Sequence, residues 1–168
     1  MKIRQLLRNR WVIIPLEVLF FIALFLAIRA YQQRDMISGP APRIEAATLK
    51  QNQFNLATSQ PKPVLVHFWA TWCGICKLEQ DSIQALSEDY NVITIAMQSG
   101  SDQEILQYLA EHKLDFEVIN DAGGEIVKAY GVRAVPASFI VNGRNQVSTR
   151  EVGYTTGWGL RLRLWLTE

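Results

Sequence analysis

The chain carries two cysteines, three positions apart, as Cys73-Gly74-Ile75-Cys76. Where the first of such a pair opens a helix, the two sulfurs fall one turn apart on one face and within disulfide reach. The free amide groups of the first turn and the positive end of the helix dipole then favour thiolate at Cys73, below the usual thiol value of about 8.5. Cys76, one turn deeper, keeps its proton until it is needed. The chemistry this permits is thiol–disulfide exchange: Cys73 attacks a target disulfide or is itself attacked, and Cys76 resolves the mixed disulfide. The same residues admit two plainer uses, half of a metal site and a structural disulfide whose loop is too short to stabilise much. With no further cysteine, a disulfide-stapled mini-fold is excluded, and so is a zinc site of four cysteines from this one chain.

The elements around the pair follow from hydrophobic spacing. Val64-Leu65-Val66-His67-Phe68-Trp69 is a short, nearly all-apolar run behind Pro61 and Pro63, the pattern of a buried central strand. Ile75, Leu78, Ile83 and Leu86 predict a helix from Cys73 to about Tyr90, and Val92 to Met97 a second buried strand. Ser101 caps a helix running to about His112, with Glu104 completing a capping box and Ile105, Leu106 and Leu109 on one face. A brief strand over 116–120, the turn Asp121-Ala122-Gly123-Gly124 and a helix through Tyr130 come next. Ala137 to Val141 is a strand, and Asn142-Gly143 opens a hairpin turn into a strand over 146–153. In the tail, Leu160, Leu162, Leu164 and Leu166 alternate with Arg161 and Arg163 as a strand would. Trp158, Leu162 and Trp165 also share one helical face, which Thr155 or Thr156 could cap, and helix is the preferred reading. Strands alternating with helices and ending in a hairpin give an α/β sheet with helices on both faces.

The N-terminal segment is of another kind. The first ten residues carry Lys2, Arg4, Arg8 and Arg10 and no acid, and from Trp11 to Ile28 the chain is apolar in all but Glu17. These 18 residues span about 27 Å as a helix, close to the roughly 30 Å of a bilayer core, and extension through Ala30 completes the match. The basic flank puts the N-terminus in the cytoplasm and everything after Arg29 outside. Trp11 suits an interfacial aromatic. Glu17 reads as a carboxylate at or snorkelling towards the interface, with a functional intramembrane acid as the alternative. A cleaved signal peptide shares the basic start and apolar run, but the run is long for one and Ile28-Arg29-Ala30 is a poor cleavage site, so an uncleaved anchor is expected. The chain thus divides into a basic start (1–10), a transmembrane anchor (11–30), a tether (31–43) containing Ser38-Gly39-Pro40-Ala41-Pro42, and a domain (44–168). The formal charge of +1 averages unlike parts: from Asp35 onward 11 basic residues face 15 acidic ones, a net of −4. Neither figure suits a nucleic-acid surface.

Val66-His67-Phe68-Trp69-Ala70-Thr71-Trp72-Cys73-Gly74-Ile75-Cys76 resembles the active-site segment of the thioredoxin superfamily. Gly131-Val132-Arg133-Ala134-Val135-Pro136-Ala137-Ser138-Phe139-Ile140 resembles its second hallmark, a loop whose cis-proline faces the cysteines. The helix and strand over 101–120 resemble the insert of membrane-anchored TlpA-type thioredoxins. The closing run from Gly153 to Trp165 is similar to the ScsD-like (suppressor for copper sensitivity) branch. The likeness spans about Ile44 to Trp165. It implies a thioredoxin-like α/β fold, a central mixed β-sheet flanked by helices with that helix-strand insert, preceded by one transmembrane helix. It implies Cys73 as nucleophile and Cys76 as resolving cysteine, with no metal and no cofactor beyond their redox-active disulfide. Pro136, cis after Val135, would shape the groove where a substrate strand docks, with Trp72 at its rim. Glu79 matches a carboxylate that in TlpA-type reductases could pass a proton to the buried thiol; a solvated helix acid is the plainer reading. His67 stands where thioredoxins carry an acid, and is either a second proton relay or a satisfied core histidine. Three positions depart from the pattern. Ile75 replaces the proline between the cysteines, Ala137 follows Pro136 where haem-maturation reductases carry Glu, and Asp81 replaces a helix-kinking proline.

These readings lead to a thiol–disulfide oxidoreductase tethered to a bacterial inner membrane, its domain in the periplasm. The expected partners are exported protein thiols and disulfides, the lipid bilayer and a membrane electron carrier of the DsbD type, and no nucleic acid. The expected direction is reduction. An oxidant of the DsbA class and a Cu(I)-binding, copper-tolerance module using the same cysteines are the alternatives.

Overall fold

The apolar N-terminal stretch forms one helix, α1 (Arg10–Gln33), in the computed structural model, which describes residues 10–59 and 61–168. Over Ile13–Gln33 this helix is long and apolar enough to cross a bilayer, by length and composition. The basic residues at 1–9 and the Trp11 side chain lie outside the described residues.

Helix α1 belongs to a unit ending at Arg34, and a second unit comprises Asp35–Glu168. The second unit therefore starts at Asp35, not at Ile44, and much of the expected tether is part of the fold. Met36 and Ile44 are buried, and Gly39–Pro40 forms the short strand β1. The Arg150 guanidinium donates to the Met36 carbonyl at 2.8 Å, and the Tyr130 hydroxyl to that of Pro42 at 3.1 Å. A segment rich in proline shows few helix or strand signals, yet its carbonyl oxygens remain free to accept bonds from elsewhere in the fold.

Two more short strands, β2 (Glu45–Ala47) and β3 (Gln53–Asn55), make an antiparallel ribbon. The main sheet adds β4 (Val64–Trp69), β5 (Asn91–Met97), β6 (Glu117–Asp121), β7 (Ala137–Val141) and β8 (Gln146–Val152) to β1, in the order β1-β8-β7-β4-β5-β6. Strands β4, β5 and β6 are parallel, linked through α2 (Gly74–Asp89) and α3 (Asp102–His112). Strand β7 runs antiparallel to β4, β8 to β7 and β1 to β8, so the sheet is mixed. Helices α4 (Glu125–Ala129) and α5 (Gly157–Trp165) complete the chain. The capping box of α3 forms as expected, the Ser101 N–H donating to Glu104 Oε2 at 2.7 Å and the Glu104 N–H to Ser101 Oγ at 3.3 Å.

Strand β4 is buried throughout, and its alternating side chains feed two cores. Leu65 and Trp69 join Ile83 and Leu86 of α2, Ile105 of α3, and Leu160 and Leu164 of α5. Val64, Val66 and Phe68 join Ile93, Val127, Tyr130 and Phe139 on the other face. There the rings of Phe68, Tyr130 and Phe139 pack with centroids 5.2, 5.7 and 5.0 Å apart. The two cysteines lie in the core shared with α2.

Two helices turn a different face inward than their apolar spacing suggests. On α2 the buried residues are Cys76, Glu79, Ile83 and Leu86, whereas Ile75 and Leu78 are exposed. A carboxylate occupies a core position that the apolar pattern skips. The tail is helical, capped by Thr156, whose Oγ1 accepts from Gly159 N–H at 3.2 Å. Its buried residues are Leu160 and Leu164, while Trp158, Leu162 and Trp165 face out. Gly157 explains the choice: a Cβ there would stand 3.0 Å from the Ser82 side chain, so α5 meets α2 on its glycine-bearing side.

Candidate active site

The end of β4 places the cysteines. The Trp69 indole N–H donates to Thr94 Oγ1 at 3.1 Å, and that hydroxyl donates to the Glu117 carbonyl at 2.9 Å, so the buried ring has its polar atom paired. The chain turns at Ala70, whose carbonyl accepts from the Cys73 N–H at 3.1 Å. Thr71 N–H donates to Ser99 Oγ at 3.1 Å, and the Trp72 indole N–H to the Gln98 carbonyl at 3.1 Å. Both residues ahead of Cys73 are thereby fastened to the loop that leaves β5. Cys73 is the N-cap of α2, with φ −88° and ψ 107°, and its Sγ accepts from the Cys76 N–H at 3.1 Å. The sulfur thus takes one of the donors that a helix start leaves unpaired. Cys73 and Cys76 form a disulfide with their Cα atoms 5.3 Å apart.

The loop before β7 faces the pair. Its Val135–Pro136 peptide bond is cis, the Val135 carbonyl oxygen lies 3.6 Å from Cys73 Sγ, and the Pro136 carbonyl accepts from Gly153 N–H at 2.8 Å. The structure therefore brings Val135 and Pro136 to Cys73, with the exposed Trp72 immediately ahead of it in the chain. Gly131 sets the loop's entry: its φ is +66°, and a Cβ would stand 1.9 Å from the Asp35 carbonyl oxygen, which leaves room for glycine alone.

Glu79 sits one turn beyond Cys76 on the same buried face of α2, only 2 % exposed. It is not a solvated helix acid. Burial pushes its carboxyl up from the ordinary 4.5 to about 7, against a hydrogen bond from the Thr155 N–H to Oε1 that favours the charged form. A group that gains and loses a proton near neutrality, a turn away from a buried thiol, suits proton transfer to and from Cys76. Thr155 is a site residue that sequence reasoning misses, because a backbone N–H leaves no side-chain signature.

His67 belongs to the same face of β4 as Leu65 and Trp69, and its Nδ1 stands 2.9 Å from Ser138 Oγ across the β4–β7 pairing. Complete burial lowers its pKa from 6.5 to about 3, so the ring stays neutral at physiological pH. So weak a base does not take a thiol proton. Ser138, two residues after Pro136 in the second hallmark stretch, is the imidazole's partner.

Among the described residues no group of three or more His, Cys, Asp or Glu is placed to hold a metal ion. The pair offers two sulfurs, and His67 Nδ1 is committed to Ser138.

Residues 37–150 match the AhpC/TSA family. A thioredoxin-like protein of Haemophilus influenzae is 29% identical over 170 residues, covering 100% of this chain and 98% of that protein. The thiol-disulfide oxidoreductase ResA of Bacillus thuringiensis subsp. konkukian is 30% identical over 115 residues, 66% of each chain. The crystal structure of StoA from Bacillus subtilis matches with a TM-score of 0.65 at 22% identity, covering 73% of this chain and 96% of that one, which establishes the shared thioredoxin-like fold.

Proposed function

The chain belongs to the AhpC/TSA family, and from that premise we propose that it is a thiol–disulfide oxidoreductase of the ResA and StoA type, held at a membrane by α1 and working as a reductant outside the cytoplasm. The observation that carries the reading is Cys73 at the N-cap of α2, bonded to Cys76 and facing the Val135–Pro136 loop.

In the reduced protein the Cys73 thiolate, held by the Cys76 N–H, attacks one sulfur of a partner disulfide. That S–S bond breaks, and the departing sulfur takes the electron pair and then a proton from solvent. Cys76 passes its proton to Glu79 and attacks Cys73 Sγ. The partner's second sulfur leaves as thiolate, and two electrons have moved from the Cys73–Cys76 dithiol to the partner. The apolar α1 and the basic residues ahead of it support an uncleaved anchor in a bacterial inner membrane with the domain in the periplasm. In that place the partners are exported protein disulfides, and a membrane carrier of the DsbD type restores the dithiol. The run from Gly153 to Trp165 supports a place in the ScsD-like branch, with copper stress as the setting in which the reductant acts.

Trapping tests the chemistry. Cys76→Ser in the full chain leaves partners disulfide-linked to Cys73, and a chain that yields no such adduct in cells is not an oxidoreductase. The direction rests on the Cys73–Cys76 potential, expected below about −150 mV; a value well above it makes the protein an oxidant.

A further inference from the structure

Beside the sulfurs, the outer flank of α2 carries apolar side chains that neither core uses. Trp72 is 60% exposed, Ile75 50% and Leu78 70%, with Ile75 and Leu78 one turn apart. Where this row ends, a groove of about 370 Å³ opens between α2 and α5, lined by Ser82, Ala85, Leu86, Gly157, Trp158 and Arg161. Trp158 stands over it, 83% exposed. Gly157 lets α5 close on Ser82, and Arg161 is paired with Asp89 at 2.6 Å, at the far end of α2. Residues 75, 78, 82 and 85 recur at helical spacing, so the row and the groove form one band along the helix.

We propose that this band docks an apolar segment flanking the reactive cysteine of a disulfide-bonded partner protein; the inference rests on the thiol–disulfide reading above. Exchange requires a partner sulfur in line with Cys73 Sγ, so the partner chain must cross the rim at Trp72 and Ile75. The groove at Ser82 is about 14 Å farther along α2. An extended segment covers that distance in about four or five residues. Exposed apolar side chains grouped together mark interaction sites, and this row begins at Trp72, the residue before Cys73. The cation on its border is already neutralised by Asp89, which favours an apolar peptide over an anionic lipid surface. Docking there holds the partner's sulfur beside Cys73 and leaves the bond-making groups untouched.

The test uses the reduced full chain in detergent micelles and two peptides, each carrying one cysteine as a mixed disulfide with thionitrobenzoate. One peptide has only Ser and Gly beyond its cysteine; the other has Leu and Phe at the fourth and fifth positions. The Cys73 thiolate attacks the peptide sulfur and thionitrobenzoate leaves with the electron pair. Cys76 then displaces the peptide thiolate, so the dithiol is oxidised and the peptide disulfide reduced by two electrons. Thionitrobenzoate release is read relative to each protein's own rate with the small disulfide dithiobis(nitrobenzoate). The apolar peptide is expected to react about tenfold faster, and the preference falls to about one in Leu78→Ser and Trp158→Ser, both exposed positions whose change leaves the cores intact. No preference in the native chain, or one that survives both substitutions, overturns the docking surface. Failure of the native chain to react with the small disulfide overturns the oxidoreductase reading instead. Quenching of Trp158 by brominated lipid in nanodiscs, without any peptide preference, assigns the face to the bilayer and also overturns the proposal.

Discussion

Replacing Glu79 by Gln removes a proton site while keeping the side chain's shape and an oxygen that still accepts from the Thr155 N–H. In the native protein burial raises the Glu79 carboxyl from 4.5 to about 7. The folded chain therefore binds this proton more tightly than the unfolded chain does. The resulting stabilisation is complete below pH 4.5 and is lost as the pH rises through 7. At 1.36 kcal/mol per pH unit the difference is about 3 kcal/mol, a large share of a domain stability of roughly 5–15 kcal/mol. His67 works with the opposite sign. Its pKa is lowered from 6.5 to about 3, so the unfolded chain binds the extra proton and stability from this ring rises with pH between those values. The two slopes overlap and partly cancel around pH 5–6, which hides both in a single profile.

The difference between native chain and Glu79→Gln removes the His67 contribution. Urea unfolding of the oxidised full chain in micelles, followed by tryptophan fluorescence from pH 4.5 to 8, supplies it. The stability of the variant relative to the native chain is expected to grow with pH by about 3 kcal/mol, most steeply between pH 5 and 7. A difference that stays constant over this range would falsify the reasoning, because Glu79 would then titrate as an ordinary solvated acid and lose its claim to the Cys76 proton.

Other consequences follow from single features. The His67 ring should keep its neutral nitrogen-15 shifts from pH 8 down to 5, and a protonation midpoint near 6.5 would contradict its burial. Gly131→Ala sets a methyl against the Asp35 carbonyl at a positive φ; a loss exceeding about 1 kcal/mol is expected, with faster proteolysis of residues 35–43, and unchanged proteolysis would mean that this contact does not hold the segment. Ser101→Ala removes one arm of the α3 capping box and should cost about 1 kcal/mol in unfolding experiments. No loss on that change would show that the box contributes nothing in solution.

Strand β4, the helix starting at Cys73 and the capping box of α3 were legible because each rests on local rules: an unbroken apolar run, a cap residue, a fixed three-residue spacing. The redox pair was legible for the same reason. What stayed hidden depends on distant parts of the chain. Gly39–Pro40 reads as linker until β8 supplies its partners, and two- or three-residue strands such as β2 carry no periodicity to detect. On α2 Ile75, Leu78, Ile83 and Leu86 suggested the inner face; Ile83 and Leu86 are buried there, but Cys76 and Glu79 take the inward places of Ile75 and Leu78. On α5 two tryptophans suggested the buried stripe, and Gly157 with Leu160 and Leu164 decided it. Large apolar residues mark a core only when no neighbouring helix fits a smaller face better.

The buried polar groups near the cysteines divide the work of a reaction that moves electrons and protons together. Reduction of the pair gives Cys73 a negative charge that the Cys76 N–H and the start of α2 can hold. Cys76 has no such support. It lies among Ile83, Leu86 and the other apolar residues of its core, where a thiolate is penalised by desolvation, so its electrons and a proton must arrive together. Among the buried polar side chains on this side of the sheet, His67 is held neutral by its burial and pairs with Ser138, whereas burial raises the Glu79 carboxyl to about 7. The loop that lends Glu79 the Thr155 N–H also begins α5, whose glycine seats the helix on α2 and leaves Trp158 exposed. One short segment, Gly153 to Gly157, therefore adjusts the proton acceptor with its backbone and shapes the proposed partner groove with its helix.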